Sequence, residues 1–341
     1  MKNVVILDDI RESDIRPRKM MTELINLLKS DIRHLLSRRV RLLPVPCPGC
    51  RSVARVGAFE KFGLTYAECR NCQSLYLSPR PSLAELKLFY ERSTAMKYWN
   101  SQISRQTQSK RDAHIYLPRL DWLSAVVRKN FTGKVSYADV QSKYDVLLKR
   151  ISKTNLFDRR FAFDCPSSLK PRLEECGYEV FSDDIQATNG HTPHVSVLTA
   201  FEVLERVFST KILMATVHRL LHGSGLLLLT TRAGSGFDVQ VLRDRTENLL
   251  PLIHMNLLSV EGITHLMTAS GFEILEMSTP GQLDMEIVRE SLRERRLPPG
   301  FPRFLSYLLQ SRDVDAHRAF QKFLQEYRLS SHLRLVARKK S

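Results

Sequence analysis

Nowhere in the 341 residues does an apolar run approach the roughly 18 needed to cross a bilayer, which excludes a transmembrane helix. Glycine and proline are scarce, at 14 and 15 residues, and no tract is rich in either. That excludes collagen-like and low-complexity classes. No segment recurs at a fixed period, so solenoids and propellers are out. The N-terminal MKNVVILDDIRESDIR turns acidic after a few apolar residues, too short a run for a secretory signal. A cytoplasmic protein is the expectation. Six cysteines in such a chain point to metal binding before a disulfide framework.

Charge is abundant but unevenly placed. The net charge is +16, and residues 1–100 hold 18 Lys/Arg against 10 Asp/Glu. Residues 101–172 hold 15 against 6, and residues 173–341 hold 19 against 20, so the excess lies in the first half. A basic half attracts anions: a small anionic substrate, a nucleic acid or a lipid surface. The plain alternative is a solvated basic surface with no specific partner.

Four cysteines form two pairs, Cys47-Pro-Gly-Cys50 and Cys69-Arg-Asn-Cys72, spaced C-x2-C-x18-C-x2-C. Each pair makes a tight knuckle, and two knuckles offer zinc four sulfurs in a tetrahedral shell with no open position. Such a zinc is structural. Phe59, Phe62, Leu64 and Tyr66 between the pairs read as ribbon strands. Cys165 and Cys176 stand apart and read as ordinary buried thiols.

Ahead of the ribbon, Met21, Leu24, Leu28, Ile32 and Leu35 fall on one helical stripe. After it, Ser82 with Glu85 predicts a capped helix over 82–92, and 117–127 reads as another. From residue 135 strands and helices alternate. VSYADV (135–140), RFAFD (160–164), YEVF (178–181), HVSVLTA (194–200), GLLLLTT (225–231), FEILEMST (272–279) and LDMEIV (283–288) read as strands. The stretches 144–152, 167–177, 201–207, 211–223 and 260–271 read as helices, with glycine closing 167–177 and 211–223. This alternation predicts an α/β fold: a doubly wound, mostly parallel seven-stranded Rossmann-like sheet. The expected organisation is an N-terminal helical segment (1–44), a zinc ribbon (45–80), a helical linker (81–132), a Rossmann domain (133–290) and a helical extension (291–341).

The order of these elements resembles the class I S-adenosylmethionine-dependent methyltransferases that carry an N-terminal zinc ribbon. The resemblance spans roughly residues 40–290 and rests on CPGC…CRNCQSLYLSPRP, VSVLTAFEVLERV, RLLHGSGLLLLTT, HMNLLSVEGITHLMTASGFEIL and STPGQLDMEIV. It implies methylation of a small metabolite such as a sugar or nucleotide-linked sugar, S-adenosylmethionine as cofactor, and an antiparallel last strand supplied by LDMEIV. It also implies cofactor contacts at Asp139, Ser142, Asp164 and Asp184. Glu202, after the fourth strand, and His254, by the mouth loop, become the candidate catalytic groups, His254 as general base.

The chain departs from the family at the cofactor loop. The family reads Asp-hydrophobic-Gly-x-Gly-x-Gly where this sequence has Asp139-Val-Gln141-Ser-Lys143-Tyr-Asp145. Glycine there permits a left-handed turn and lets the backbone approach the ligand. Two readings therefore stand: an active methyltransferase, or a non-catalytic relative that serves as a binding module or as the protein partner of an active enzyme. Nucleic-acid binding through ribbon and basic patch ranks last, because residues 98–129 form no recognisable motif.

Overall fold

The computed structural model of the chain describes residues 10–141, 145–181 and 193–340. The N-terminal part is helical, with α1 (Glu12–Ile15) and α2 (Arg18–Ser37). Five short strands follow: β1 (Leu42–Leu43), β2 (Arg55–Lys61), β3 (Leu64–Cys69), β4 (Leu75–Leu77) and β5 (Arg80–Pro81). A helical stretch comes next, with α3 (Leu83–Arg92), α4 (Thr94–Tyr98), α5 (Ser104–Gln106), α6 (Gln108–Arg111) and α7 (Leu117–Asn130). Alternation then sets in with β6 (Val135–Val140), α8 (Asp145–Ser152), β7 (Phe157–Phe163), α9 (Lys170–Glu175), β8 (Glu179–Phe181), β9 (Val195–Phe201), α10 (Thr210–Leu220) and β10 (Leu221–Arg232). The chain ends with α11 (Phe237–Leu242), β11 (Asn256–Leu257), α12 (Val260–Ala269), β12 (Phe272–Ser278), α13 (Asp284–Arg293), α14 (Arg303–Ser311), α15 (Val314–Glu326) and β13 (His332–Lys339). No helix among the described residues is long and apolar enough to cross a membrane.

Two compact units emerge. The first runs to Gln108 and adds Arg232–His265 and Ser278–Leu333. The second takes Ser109–Thr231, Leu266–Met277 and the chain from Arg334 onward.

In the first unit, α2 buries the predicted stripe of Met21, Leu24, Leu28, Ile32 and Leu35, joined by Ile25. The ribbon is a four-stranded sheet in the order β11-β4-β3-β2. β2 and β3 pair antiparallel down to Lys61 opposite Leu64. The two residues between them, Phe62 (φ 55°) and Gly63 (φ 79°), are both left-handed, the geometry of a two-residue type I′ hairpin. Phe62 therefore sits in the turn and not in a strand. The fourth strand, β11, comes from far along the chain and pairs with β4.

The second unit is built on the seven-stranded sheet, in the order β12-β13-β10-β9-β6-β7-β8. The pairs β10–β9, β9–β6, β6–β7 and β7–β8 are all parallel. The expected Rossmann-like α/β architecture is present. Its core gathers Leu123, Val126 and Val127 of α7, Leu147, Leu148 and Ile151 of α8, and Tyr137, Val197, Leu226 and Leu228 of the strands.

Three expectations fail locally. LDMEIV is not a strand but the start of α13, where Asp284, Ile287, Val288 and Ser291 are buried. Those positions repeat at i, i+3, i+4 and i+7, and the acids Asp284 and Glu286 lie in the first turn, where the helix dipole favours them. The strand slot falls instead to β13, within the stretch expected to be a helical extension. It buries Leu333, Leu335, Val336 and Ala337. The amide of Lys340, just past its end, donates to Gly271, just before β12. Residues 202–206 form a turn, and the helix starts only at Thr210, where the Ser209 hydroxyl accepts the Ile212 amide. Helix α10 stops at Leu220, so Gly223 lies within β10 and does not close the helix.

Candidate functional site

The cysteine quartet lies in the first unit. The two knuckles repeat one design. Arg51 donates its amide to the Cys47 carbonyl at 3.0 Å, and Gln73 donates to Cys69 at 2.9 Å. Both donors are left-handed, with φ of 66° and 57°. The backbone thus curls around each pair and turns its sulfurs inward. The four ligand atoms lie within 4.8 Å of one another, with Cys47–Cys72 and Cys50–Cys69 sulfurs each 3.5 Å apart. A tetrahedral zinc with Zn–S near 2.3 Å needs sulfurs about 3.8 Å apart, so the set fits the ion.

Burial and the sulfur contacts raise the thiols of Cys47 and Cys50, so zinc would displace protons on binding. The sulfur hydrogen bond from Cys47 pulls the Cys72 thiol down to about 4, against the opposing effect of burial, and the Ser74 hydroxyl helps. The same bond, with burial, pushes Cys47 far up. Cys47, Cys50, Cys69 and Cys72 would hold zinc as a closed four-sulfur shell whose chemistry is structural.

The quartet is tied to α12. The Ser74 hydroxyl bonds Cys72 Sγ at 3.2 Å and accepts the Ser259 amide at 3.1 Å. The Ser259 hydroxyl accepts the Gly262 amide at 2.9 Å, the geometry of a helix N-cap, and donates to the Cys72 carbonyl. Glycine is required at the contact. A Cβ on Gly262 would stand 2.1 Å from Ser74 Oγ, and one on Gly49 would stand 2.9 Å from the Gly262 backbone.

His254 also belongs to the first unit. Its Nδ1 accepts the Leu250 amide at 3.0 Å, and its carbonyl accepts the Tyr66 hydroxyl at 2.8 Å. Burial raises the pKa of that tyrosine, so it is a lasting donor.

The other candidates sit in the second unit at the carboxyl ends of its parallel strands. The chain leaves β6 toward β7 and β8 on one side and returns to β9 and β10 on the other. The β6/β9 boundary is therefore the switch point where ligands of such sheets bind. Asp139 lies there, buried, and pairs in register with Thr199 of β9. Thr199 Oγ1 donates to Asp139 Oδ1 at 2.5 Å, and the Tyr137 hydroxyl lies 2.6 Å from Thr199 Oγ1.

Three adjacent strands end in one device. Gln141, Asp164 and Glu202 follow β6, β7 and β9, and all three are left-handed, with φ of 55°, 52° and 57°. Their amides make a last rung to the next strand, to Phe163, Phe181 and Thr230, at 2.8, 2.9 and 2.8 Å. Non-glycine residues seldom adopt this conformation, and it collects at functional sites.

Each side chain is engaged. Gln141 Nε2 donates to Asp164 Oδ2 at 2.6 Å. Glu202 pairs with Arg119 of α7, whose side chain is only 3% exposed and which also stacks on Phe201 at 5.5 Å. Arg206 donates to the Glu202 carbonyl, Nε at 2.7 Å. Glu205 is buried and raised by burial, with Thr231 Oγ1 donating to it at 2.8 Å. Ser142, Lys143 and Asp184 lie outside the described residues.

The structure thus brings together the four cysteines, Asp139 with Thr199, and Asp164 with Gln141. His254 falls in one unit and Glu202 in the other. Sequence reading missed three partners: the Gln141 carboxamide on Asp164, Arg119 on Glu202, and the Ser74–Ser259 link. Only an arginine within the apolar helix 117–127 hinted at any of them.

Among the described residues, Gln141 stands where the resembled family has its first loop glycine, and the Asp164 carboxylate already accepts its carboxamide.

No protein-family model matches the chain, and no curated protein matches it. Solved structures do resemble it. A chain in the complex between the Haloferax volcanii Trm112 methyltransferase activator and a methyltransferase is 12% identical, with a TM-score of 0.46, covering 71% of this chain and 96% of its own. Coclaurine N-methyltransferase bound to N-methylheliamine and S-adenosylhomocysteine is 14% identical, with a TM-score of 0.42, covering 66% and 72%. The cyclase SpnF is 15% identical, with a TM-score of 0.41, covering 64% and 80%.

Proposed function

We propose that the chain is a zinc-clipped protein of methyltransferase architecture that does not turn over S-adenosylmethionine and acts as a binding module or as the partner of an active enzyme. One observation carries this reading: at the first glycine position of the cofactor loop, Gln141 donates its carboxamide to Asp164 at 2.6 Å. A ribose would have to displace a short bond to a carboxylate and a side chain at once. Calorimetry with S-adenosylmethionine and S-adenosylhomocysteine tests it. The wild type is expected to give no heat, and Gln141→Gly to gain measurable binding. Saturable binding by the wild type, followed by release of a methylated product, would overturn the reading.

A second reading keeps the enzyme, because Asp139, Asp164 and Glu202 all stand at the ligand-binding ends of adjacent strands. There the substrate is a small anionic metabolite such as a sugar or nucleotide-linked sugar. Asp139, Ser142, Asp164 and Asp184 contact the cofactor, and Glu202 removes a proton. That role demands that Glu202 leave Arg119. An Arg119→Met variant more active than the wild type would favour this second reading.

A further inference from the structure

The first unit holds an open cavity of about 1140 Å³, bordered by α1, the start of α2, residues 247–248, α13 and α15. It is part of neither the cysteine quartet nor the strand-end crevice. Its size is somewhat above the usual range of small-molecule sites, and its walls are unlike the usual apolar ones. Seven arginines face five glutamates across it. The glutamates are largely taken. Glu12 pairs with Arg16 at 3.7 Å, Glu290 with Arg293 at 2.6 Å, and Glu247 with Arg296 at 3.2 Å. Glu294 pairs with Arg18 and Arg296. Glu286 accepts the Glu12 amide at 3.0 Å. Arg318 pairs with Asp315 at 3.8 Å, and Arg289 is paired with none of these carboxylates.

Among the described residues, three buried polar atoms on this wall have no hydrogen-bond partner: Arg289 Nε, Asn248 Oδ1 and His317 Nδ1. Each of these groups is otherwise fixed or buried. Asn248 is 4% exposed and donates its amide to Glu12. His317 Nε2 lies 2.9 Å from the Leu308 carbonyl, so the ring cannot turn to satisfy its other nitrogen. Buried polar atoms left unmet are costly, and a ligand that meets them recovers that cost. The set offers guanidinium donors for an anion and carboxamide, carboxylate and imidazole groups for hydroxyls. Among the described residues no Phe, Tyr or Trp lines the cavity to stack on a nucleobase.

We propose that this cavity binds a small hydroxyl-rich organic anion of the sugar-phosphate class, with Arg289 on the phosphate and Asn248 and His317 on hydroxyls. The site stands independently of the crevice, so closure of the crevice and occupancy here are separate facts about the chain.

Titration calorimetry on the full zinc-loaded chain tests it, with glucose 1-phosphate and glucose 6-phosphate as probes and glucose, inorganic phosphate and AMP as comparisons. At least one sugar phosphate is expected to bind saturably, and glucose and inorganic phosphate at least tenfold more weakly. Arg289→Gln and Asn248→Ala should each weaken sugar-phosphate binding about tenfold. Arg293→Gln, on a mostly exposed side chain, removes a rim cation with little risk to the fold and should weaken it less. Thermal unfolding of each variant separates lost binding from lost folding. Absence of saturable binding to either sugar phosphate would overturn the proposal. So would AMP binding as tightly as the sugar phosphates, or binding unchanged in both Arg289→Gln and Asn248→Ala while they remain folded.

Discussion

Gly262→Ala puts the link between metal site and helix to a test of sign. Glycine in a helix is ordinarily worse than alanine by about 0.8–1 kcal/mol, so the substitution in open space would stabilise. Here the new Cβ would stand 2.1 Å from Ser74 Oγ, 3.3 Å from Ser259 Oγ and 3.4 Å from Cys72 Sγ. Ser74 cannot step aside freely, because its hydroxyl holds the Ser259 amide at 3.1 Å and the Cys72 sulfur at 3.2 Å. Overpacking costs about 1–3 kcal/mol, and an orphaned buried amide costs about 1–3 kcal/mol more. After the propensity gain the net loss is about 1–5 kcal/mol. In a unit of this size each kcal/mol lowers Tm by about 2–4 °C. Thermal unfolding of the zinc-loaded protein measures it, with Gly57→Ala as the control, since a Cβ there meets nothing within 4 Å. Zinc retention against a chromophoric chelator should also weaken in Gly262→Ala. If Gly262→Ala melted at or above the wild type with zinc held as firmly, the argued contact between knuckle and helix would be wrong.

Elemental analysis should find one zinc per chain, and Cys69→Ser should release it; a wild type that is metal-free yet fully folded would refute the ribbon. Glu202→Ala deprives the buried Arg119 of this carboxylate and should cost about 1–3 kcal/mol, the low side of buried pairs because Glu202 is 30% exposed. Adding Arg119→Met should recover part of that loss, and a double-mutant cycle with no coupling would refute the pairing. Burial first, and then the charge of Asp238, raise Asp284 above its ordinary 3.8. The folded state therefore favours protonated Asp284, and its contribution to stability is full below the unfolded value and is lost as pH rises through the raised folded value. Asp284→Asn should flatten that decline in urea midpoints across mildly acidic pH; a slope identical to the wild type would count against it.

Much of this protein was legible residue by residue. The spacing of Cys47, Cys50, Cys69 and Cys72 implied a closed four-sulfur site, because knuckle geometry is set by two intervening residues. The α2 stripe and the alternation after residue 135 announced the helix and the parallel sheet, since periodicity is a local signal. Sequence also marked where the stretch after β6 departs from the glycine pattern of the resembled family, as a side chain at a glycine position needs no neighbour to be recognised.

Tertiary structure decided what depended on partners distant in the chain. Whether 283–288 or 332–339 filled the strand slot turned on which segment could bury its face there, and both are apolar enough to compete. LDMEIV became helical once Asp284, Ile287, Val288 and Ser291 shared a buried face. The partners of Asp164 and Glu202 lie 23 and 83 positions away. No local pattern encodes such pairings, because a hydrogen bond depends on where the folded backbone places two groups and not on how far apart they lie along it.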